Sequence, residues 1–288
     1  VLPKRIDVAL LPTIVEPHQL QGRTVVVTDV LRATTTAIQA LVNGCEQVLP
    51  QPSIEAARQC HQRVPNSVLG GERGGQIITG FHQGNSPLEY DRQRIGGKAV
   101  ILATTNGTVA MERCRLARRV LIGAMINLGA IANQLSENEE VTIVCSGTDG
   151  EITSEDTIFA GALVERILQK QISTKECMTS RSELSNPQSR SMTGVEVVEK
   201  KLTLRGIRPN PIDFLDQISD MALIALNHWQ RTCDQIEQGT RLADLFKVAR
   251  GGVNLVKIGL EADIEFAARI DEVSVVPELN LDDWAIRI

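Results

Sequence analysis

Aromatic side chains make up only 3% of this 288-residue chain, too little ring surface for base-stacking platforms or a carbohydrate-binding face. A basic excess is also missing. The formal net charge of -5 argues against nonspecific binding to nucleic acid or to acidic membranes, since both need a cationic surface. No apolar run approaches the length of a membrane-spanning helix and the first residues lack a secretory apolar core, so neither a membrane span nor export is expected. Six cysteines are present (Cys45, Cys60, Cys114, Cys145, Cys177 and Cys233), but no CxxC pair, which removes the signature of a zinc ribbon or a thioredoxin-like site. Several lie in apolar or helical patterns, as buried free cysteines do, which favours a reducing cytoplasm. GxSxG is absent as well, so the common serine-hydrolase route has no support.

What the chain does have is ordinary soluble composition, 42% hydrophobic and 23% charged, and enough length to bury a substantial core. Three segments share one layout of apolar run, abrupt polar turn and helical pattern: residues 24–42, 98–117 and 141–167. Further short strands are expected at 47–50, 67–69 and 120–126, with helices at 53–64 and 128–135. Continuous apolar strands, each followed by a helix, predict a mostly parallel or mixed sheet covered on both faces, a three-layer α/β/α fold. Beyond residue 172 the pattern loosens. Residues 173–193 read as a long polar loop, helices are expected at 212–236, 242–249 and 261–268, and a last strand at 273–276. With no low-complexity linker, residues 1–288 are expected to form a single domain with a polar insertion at about 173–208.

The polar turns carry the candidate chemistry. Asp29 would end a buried strand, with Arg32 and three threonines opening the next helix. That set suits a metal-bridged phosphate, the acid holding a hard cation and the arginine forking onto anionic oxygens; equally, Asp29 caps the helix and pairs with Arg32. Gly70-Gly71-Glu72-Arg73-Gly74-Gly75 permits close backbone approach but is neither a Walker A nor a Rossmann fingerprint. Asn85-Ser86-Pro87 reads as a turn whose amide and hydroxyl are available to a substrate. Thr104-Thr105-Asn106-Gly107-Thr108 would aim N–H groups and hydroxyls at an anion on the following helix, or serve as a simple N-cap. Asp149, Glu151, Glu155 and Asp156 add carboxylates to the rim already holding Asp29 and Glu72. Acids in a first helical turn suit the helix dipole, but such density also seeks a cation, magnesium being the natural candidate. Cys145, at a strand end, is either a thiolate nucleophile or a packing residue; none of His18, His61, His82 and His228 is spaced to activate it.

Asp29-Val-Leu-Arg-Ala-Thr34, the Gly-Gly-Glu72 turn, Asn85-Ser-Pro, Thr104-Thr-Asn-Gly and Gly147 followed by Glu155-Asp156 occur in this order. In these motifs the chain resembles the 2-phosphosulfolactate phosphatase (ComB) family, over about residues 6–168 and again at 251–277. The resemblance implies a homodimeric, magnesium-dependent phosphatase that converts (R)-2-phospho-3-sulfolactate to sulfolactate and inorganic phosphate, the chemistry of coenzyme M biosynthesis. A related phosphorylated 2-hydroxy acid is the alternative small-molecule substrate. It implies Asp29, Glu72, Glu155 and Asp156 as metal ligands, with Asp29, Arg32 and Asp156 catalytic. Arg32, Asn85, Ser86, Thr105, Asn106 and Gly107 become substrate contacts. Position 31 is Leu31, so the DxDx(T/V) signature of aspartyl-phosphate enzymes is absent and water is the expected nucleophile. Two other readings stand beside it, a non-catalytic binding protein for phosphorylated hydroxy acids and a Cys145-dependent hydrolase.

Overall fold

The computed structural model describes residues 3–135, 139–184, 208–214 and 216–288. Strand β1 (Arg5–Ala9) is followed by β2 (Thr24–Thr28), α1 (Ala33–Val42), β3 (Gln47–Gln51), α2 (Ile54–Arg63), β4 (Ser67–Arg73) and β5 (Gln76–Ile77). Next come α3 (Arg92–Ile95), β6 (Ala99–Ala103), α4 (Gly107–Arg113), β7 (Arg119–Gly123), α5 (Leu128–Gln134) and β8 (Glu140–Cys145). Helices α6 (Ser154–Leu184), α7 (Asp220–Glu237), α8 (Leu242–Lys247), α9 (Arg250–Lys257) and α10 (Glu261–Ala267) precede a closing hairpin, β9 (Glu278–Asn280) and β10 (Ala285–Arg287).

The strands join in one sheet in the order β1-β8-β2-β7-β9-β10-β3-β6-β4-β5. Two parallel groups, β1-β8-β2-β7 and β3-β6-β4, are bridged by the antiparallel hairpin β9–β10. Every residue of β2 is buried because the sheet is covered on both faces: Val26 enters the core beneath α5, α6 and α7, while Val25 and Val27 enter the core beneath α1 and α4. Helix α2 covers the far end, where Ala57 packs among Leu49, Leu69 and Ile101. The expected α/β sandwich is therefore the observed fold, with a mixed rather than wholly parallel sheet. The three strand-turn-helix segments are β2–α1, β6–α4 and β8–α6.

Four expectations are corrected. Residues 173–184 continue α6 instead of starting a loop. They are polar but contain no proline or glycine, and polarity alone does not stop a helix. Residues 185–207 of the supposed insertion lie outside the described residues. The helix expected at 212 begins at Asp220, where the Ser219 hydroxyl accepts the Ala222 N–H at 3.2 Å; Pro211–Phe214 is a separate 3-10 turn. The strand expected to reach residue 126 stops at Gly123, because the Asn127 side chain caps the Ala124 N–H at 2.9 Å and starts a turn. The strand expected at 273–276 does not form: Val275 gives its carbonyl to the Asn127 side-chain amide at 3.1 Å, and the C-terminal strands are β9 and β10.

Helices α6 and α7 cross closely at Gly161, where an added Cβ would stand 2.0 Å from the Ala225 carbonyl oxygen and 2.8 Å from the Trp229 Cβ. Gly161→Ala should cost about 1–3 kcal/mol by overpacking, outweighing roughly 1 kcal/mol gained in helix propensity. A lowered urea midpoint is expected, and an unchanged or raised one would contradict the crossing.

Candidate active site

The crevice forms where the ends of β2, β4, β6 and β8 give way to turns. Asp29 leaves β2 nearly buried, its Oδ1 accepting the Ala33 N–H at 3.1 Å. The first turn of α1 is fixed by Thr34, whose hydroxyl accepts the Asp29 N–H at 3.0 Å and donates to the Asp29 carbonyl at 2.9 Å. The capping role foreseen for Asp29 is thus real, but it occupies one carboxylate oxygen; Oδ2 has no donor among the described residues. Gly107, opening α4, lets that oxygen approach: a Cβ there would stand 2.9 Å from Oδ2 and 2.7 Å from the Ala33 Cβ. The N–H groups of Asn106, Gly107 and Thr108 have no acceptor among the described residues, so the start of α4 offers donors beside a carboxylate.

The other carboxylates divide into two kinds. Asp156 accepts three backbone N–H bonds, from Val30 at 2.8 Å and from Ser146 and Gly147 at 3.2 and 2.9 Å. Glu72 accepts from Gly75 N at 2.8 Å and from the N–H and hydroxyl of Thr105 at 3.1 and 3.0 Å. Both acids therefore hold loops in place. Glu155, in contrast, is 1% exposed and its Oε2 has no hydrogen-bond partner. It lies against α9, where a Cβ on Gly251 would stand 2.3 Å from Oε1. Among the described residues no three His, Cys, Asp or Glu side chains converge as a ready-made cation site.

Arg32 does not reach out as a free anion receptor. It is buried, with Nη1 on Asp263 Oδ2 at 2.6 Å and Nη2 on the Gly75 carbonyl at 2.8 Å. The second oxygen of Asp263 accepts the Ser86 hydroxyl at 2.6 Å. Ser86, expected to touch substrate, instead completes this buried network, and Thr105 is turned onto Glu72. Asn85 lines the cavity: its backbone carbonyl takes the Thr36 hydroxyl at 2.8 Å, while its side-chain Oδ1 is buried without a partner. Asp263 lies in the helix expected at 261–268 and α9 in the stretch where the resemblance resumes, but neither stands out in the sequence as a site element. An acid among the three of α10 reads as part of an amphipathic surface helix, and α9 opens on two glycines.

These elements enclose a cavity of ≈ 290 Å³ lined by Asp29, Arg32, Glu72, Asn85, Thr104–Asn106, Asp149 and, from α9, Gly251, Asn254 and Lys257. A larger hollow of ≈ 950 Å³ lies between α5, α6 and residues 271–276, but its arginine, Arg166, is spent on Asp271 at 2.9 Å. The smaller cavity holds the polar groups and suits a compact anion.

The family model described as 2-phosphosulpholactate phosphatase matches residues 9–196. The chain belongs to the 2-phosphosulfolactate phosphatase family. The chemistry of that family is phosphoric monoester hydrolysis, which fits a small cavity pairing free N–H donors with a carboxylate. A probable 2-phosphosulfolactate phosphatase of Symbiobacterium thermophilum is 34% identical over 263 residues, covering 90% of this chain and 92% of the relative. Those of Thermotoga petrophila and Clostridium kluyveri are 40% and 38% identical over 167 and 168 residues, each covering 58% of this chain and 70% of the relative. The shared family region contains every sequence-predicted site residue. Asp263 and α9 lie beyond residues 9–196.

Burial, then repulsion from Asp156 and Glu72, pushes the Asp29 carboxyl up to about 8, against partial relief from the Ala33 N–H and Arg32. Burial first, with neighbouring acids, likewise raises Glu155 and Asp156 to about 7. An acid raised in this way binds more protons folded than unfolded, so its stabilisation is complete below the unfolded values of 3.8 to 4.5 and is lost as pH climbs through the folded ones. In EDTA the thermal midpoint should fall between about pH 5 and pH 8, less steeply in Asp29→Asn. Parallel curves for the two proteins would remove Asp29 from the cluster.

Proposed function

We propose that the protein is a magnesium-dependent phosphatase that releases inorganic phosphate from (R)-2-phospho-3-sulfolactate or a closely related 2-hydroxy acid phosphate, acting as a cytoplasmic homodimer. The observation that carries this reading is the juxtaposition of the free Asp29 Oδ2 with the unpaired N–H groups that open α4. A phosphoryl group seated on those donors has its charge met by backbone dipoles. The buried cysteines without a disulfide among the described residues agree with a reducing compartment. No helix among the described residues is long and apolar enough to cross a membrane.

The donor set fits a hard divalent cation. Glu155 Oε2 is buried without a partner, the Asp29 cap uses Oδ1 and leaves Oδ2 open, and magnesium is commonly held by one or two carboxylates with water completing its shell. Asp29 and Glu155 would hold the ion, which supplies charge neutralisation at the phosphoryl oxygens and relief of the crowded acids. Glu72 and Asp156, implied as ligands by the resemblance, are assigned instead to positioning, since backbone N–H groups already occupy them. Asp29 Oδ2 is thereby committed to the ion, and the attacking water gives up its proton to solvent. The new bond forms between water oxygen and phosphorus as the ester oxygen–phosphorus bond breaks, and the departing alkoxide takes a proton from solvent to give the hydroxy acid.

A cysteine-dependent reaction has no structural footing. Cys145 is fully buried, its thiol donates to the Asp156 carbonyl at 3.5 Å, and burial raises its pKa well above the ordinary value. The decisive measurement is phosphate release from a panel of phosphorylated 2-hydroxy acids with magnesium or EDTA. Release that needs the metal and drops on the order of a hundredfold or more in Asp29→Asn is expected. Absence of release from every compound would sink the proposal, and a trapped acyl-phosphate on Asp29 would replace water with Asp29 as nucleophile.

A further inference from the structure

We infer that Lys257, supported by Asn254, is the specificity-determining contact of this cavity, binding the second anionic group of the substrate, a sulfonate at the end opposite the phosphate. This rests on the phosphatase reading above and assigns to α9 a role outside the motifs that define the site.

Helix α9 is seated along one wall of the crevice by contacts at its two ends. Near its start, the missing side chain of Gly251 admits Glu155 and Leu31, to which a Cβ would stand 2.3 and 3.5 Å away. Just past its end, the Ile258 Cδ1 reaches Gly75, where a Cβ would stand 2.7 Å from it. Positions 254 and 257 are three apart on this anchored helix, hence neighbours on one face, and both line the cavity. The same cavity is lined by Asp29, Asn85 and the turn at Thr104–Asn106, so a ligand with its phosphate on that turn would have its other end within reach of α9.

Charge accounting singles out Lys257. Three acids line the cavity, Asp29, Glu72 and Asp149, against two cations, Arg32 and Lys257. The buried guanidinium of Arg32 is already paired with Asp263 at 2.6 Å. Arg250, at the start of α9, is paired with Asp149 at 3.5 Å. Lys257 is exposed and has no ion-pair partner among the described residues, so it is the one lining cation there whose charge is unspent. A three-carbon substrate carrying phosphate, carboxylate and sulfonate brings more negative charge than the deep wall can neutralise alone. An unpaired ammonium across a short cavity meets it, with the Asn254 amide as an accompanying donor.

The test compares 2-phospho-3-sulfolactate with 2-phospholactate, which lacks the sulfonate, on wild type, Lys257→Met and Lys257→Arg. Loss of a charge-assisted hydrogen bond should raise KM for the sulfonate substrate on the order of tenfold or more in Lys257→Met. The rise for 2-phospholactate should be several-fold smaller, and Lys257→Arg should recover most of the loss. Equal KM increases for both substrates, or none for either, would overturn the assignment. Calorimetric titration with sulfolactate separates this inference from its premise. If wild type released no phosphate from either compound, the phosphatase reading would fall, while weaker sulfolactate binding by Lys257→Met would still uphold the lysine and equal binding would still reject it.

Discussion

The crevice depends on one carboxylate that need not touch substrate. Asp156 stands in the first turn of α6 and accepts N–H groups from Val30, Ser146 and Gly147. It thereby ties the turn after β2 to the turn after β8. Those strands are already paired in parallel register, with Thr28 opposite Cys145, and parallel neighbours leave their carboxyl ends with turns that must diverge into helices. A single buried acid bonded to both turns sets how far they diverge. Asp29 lies one residue from Val30, so its position follows from the Asp156 clamp as well as from its own cap on α1.

Glu72 repeats the device on the other parallel group. Its two oxygens join the glycine turn at Gly75 to Thr105, linking the end of β4 to the turn after β6. Each half of the mixed sheet therefore carries one acid whose hydrogen bonds are spent on backbone or a neighbouring hydroxyl. The meeting of Gly107 with Asp29 joins the halves. Using carboxylates for this has an electrostatic cost, because four acids crowd one water-poor region and burial drives three of their pKa values upward. The crowding also favours a cation at this place, since a positive charge there would offset the clustered carboxylates.

The parallel architecture was legible because buried strands such as Thr24–Thr28 and Ala99–Ala103 are unbroken apolar runs ending at polar turns, and both period and boundary are local properties. The places of Asp29, Asn106 and Gly107 were legible for the same reason, since a strand end followed by a helix start defines a place whatever the tertiary fold. Their division of labour was not. Whether a carboxylate faces a cavity or a neighbouring turn depends on partners 126 residues away, as for Asp156 with Val30, or 231 away, as for Arg32 with Asp263. The hairpin β9–β10 was missed because three-residue strands carry almost no periodic signal. Helix α9 was missed because its two leading glycines disfavour a helix locally, and it forms where Gly251 must sit flush against Glu155 and Gly252 against the Phe246 carbonyl.

That last point bears on how the cavity is shaped. A helix opening on Gly251-Gly252 is intrinsically weak, so its place is dictated by close packing rather than propensity. At Gly252 even a methyl group would stand 1.9 Å from the Phe246 oxygen. The wall bearing Asn254 and Lys257 is thus set by the same buried surface that holds Glu155, and Asp263 of the following helix secures Arg32 with one oxygen and Ser86 with the other. The C-terminal helices consequently act on both sides of the cavity. One withdraws the charge of the deep arginine into a buried pair, and the other presents an unspent ammonium at the opposite side. An anion entering this space meets oriented N–H dipoles at one end and a mobile full charge at the other, which favours a ligand with two separated negative groups over a simple phosphate ester.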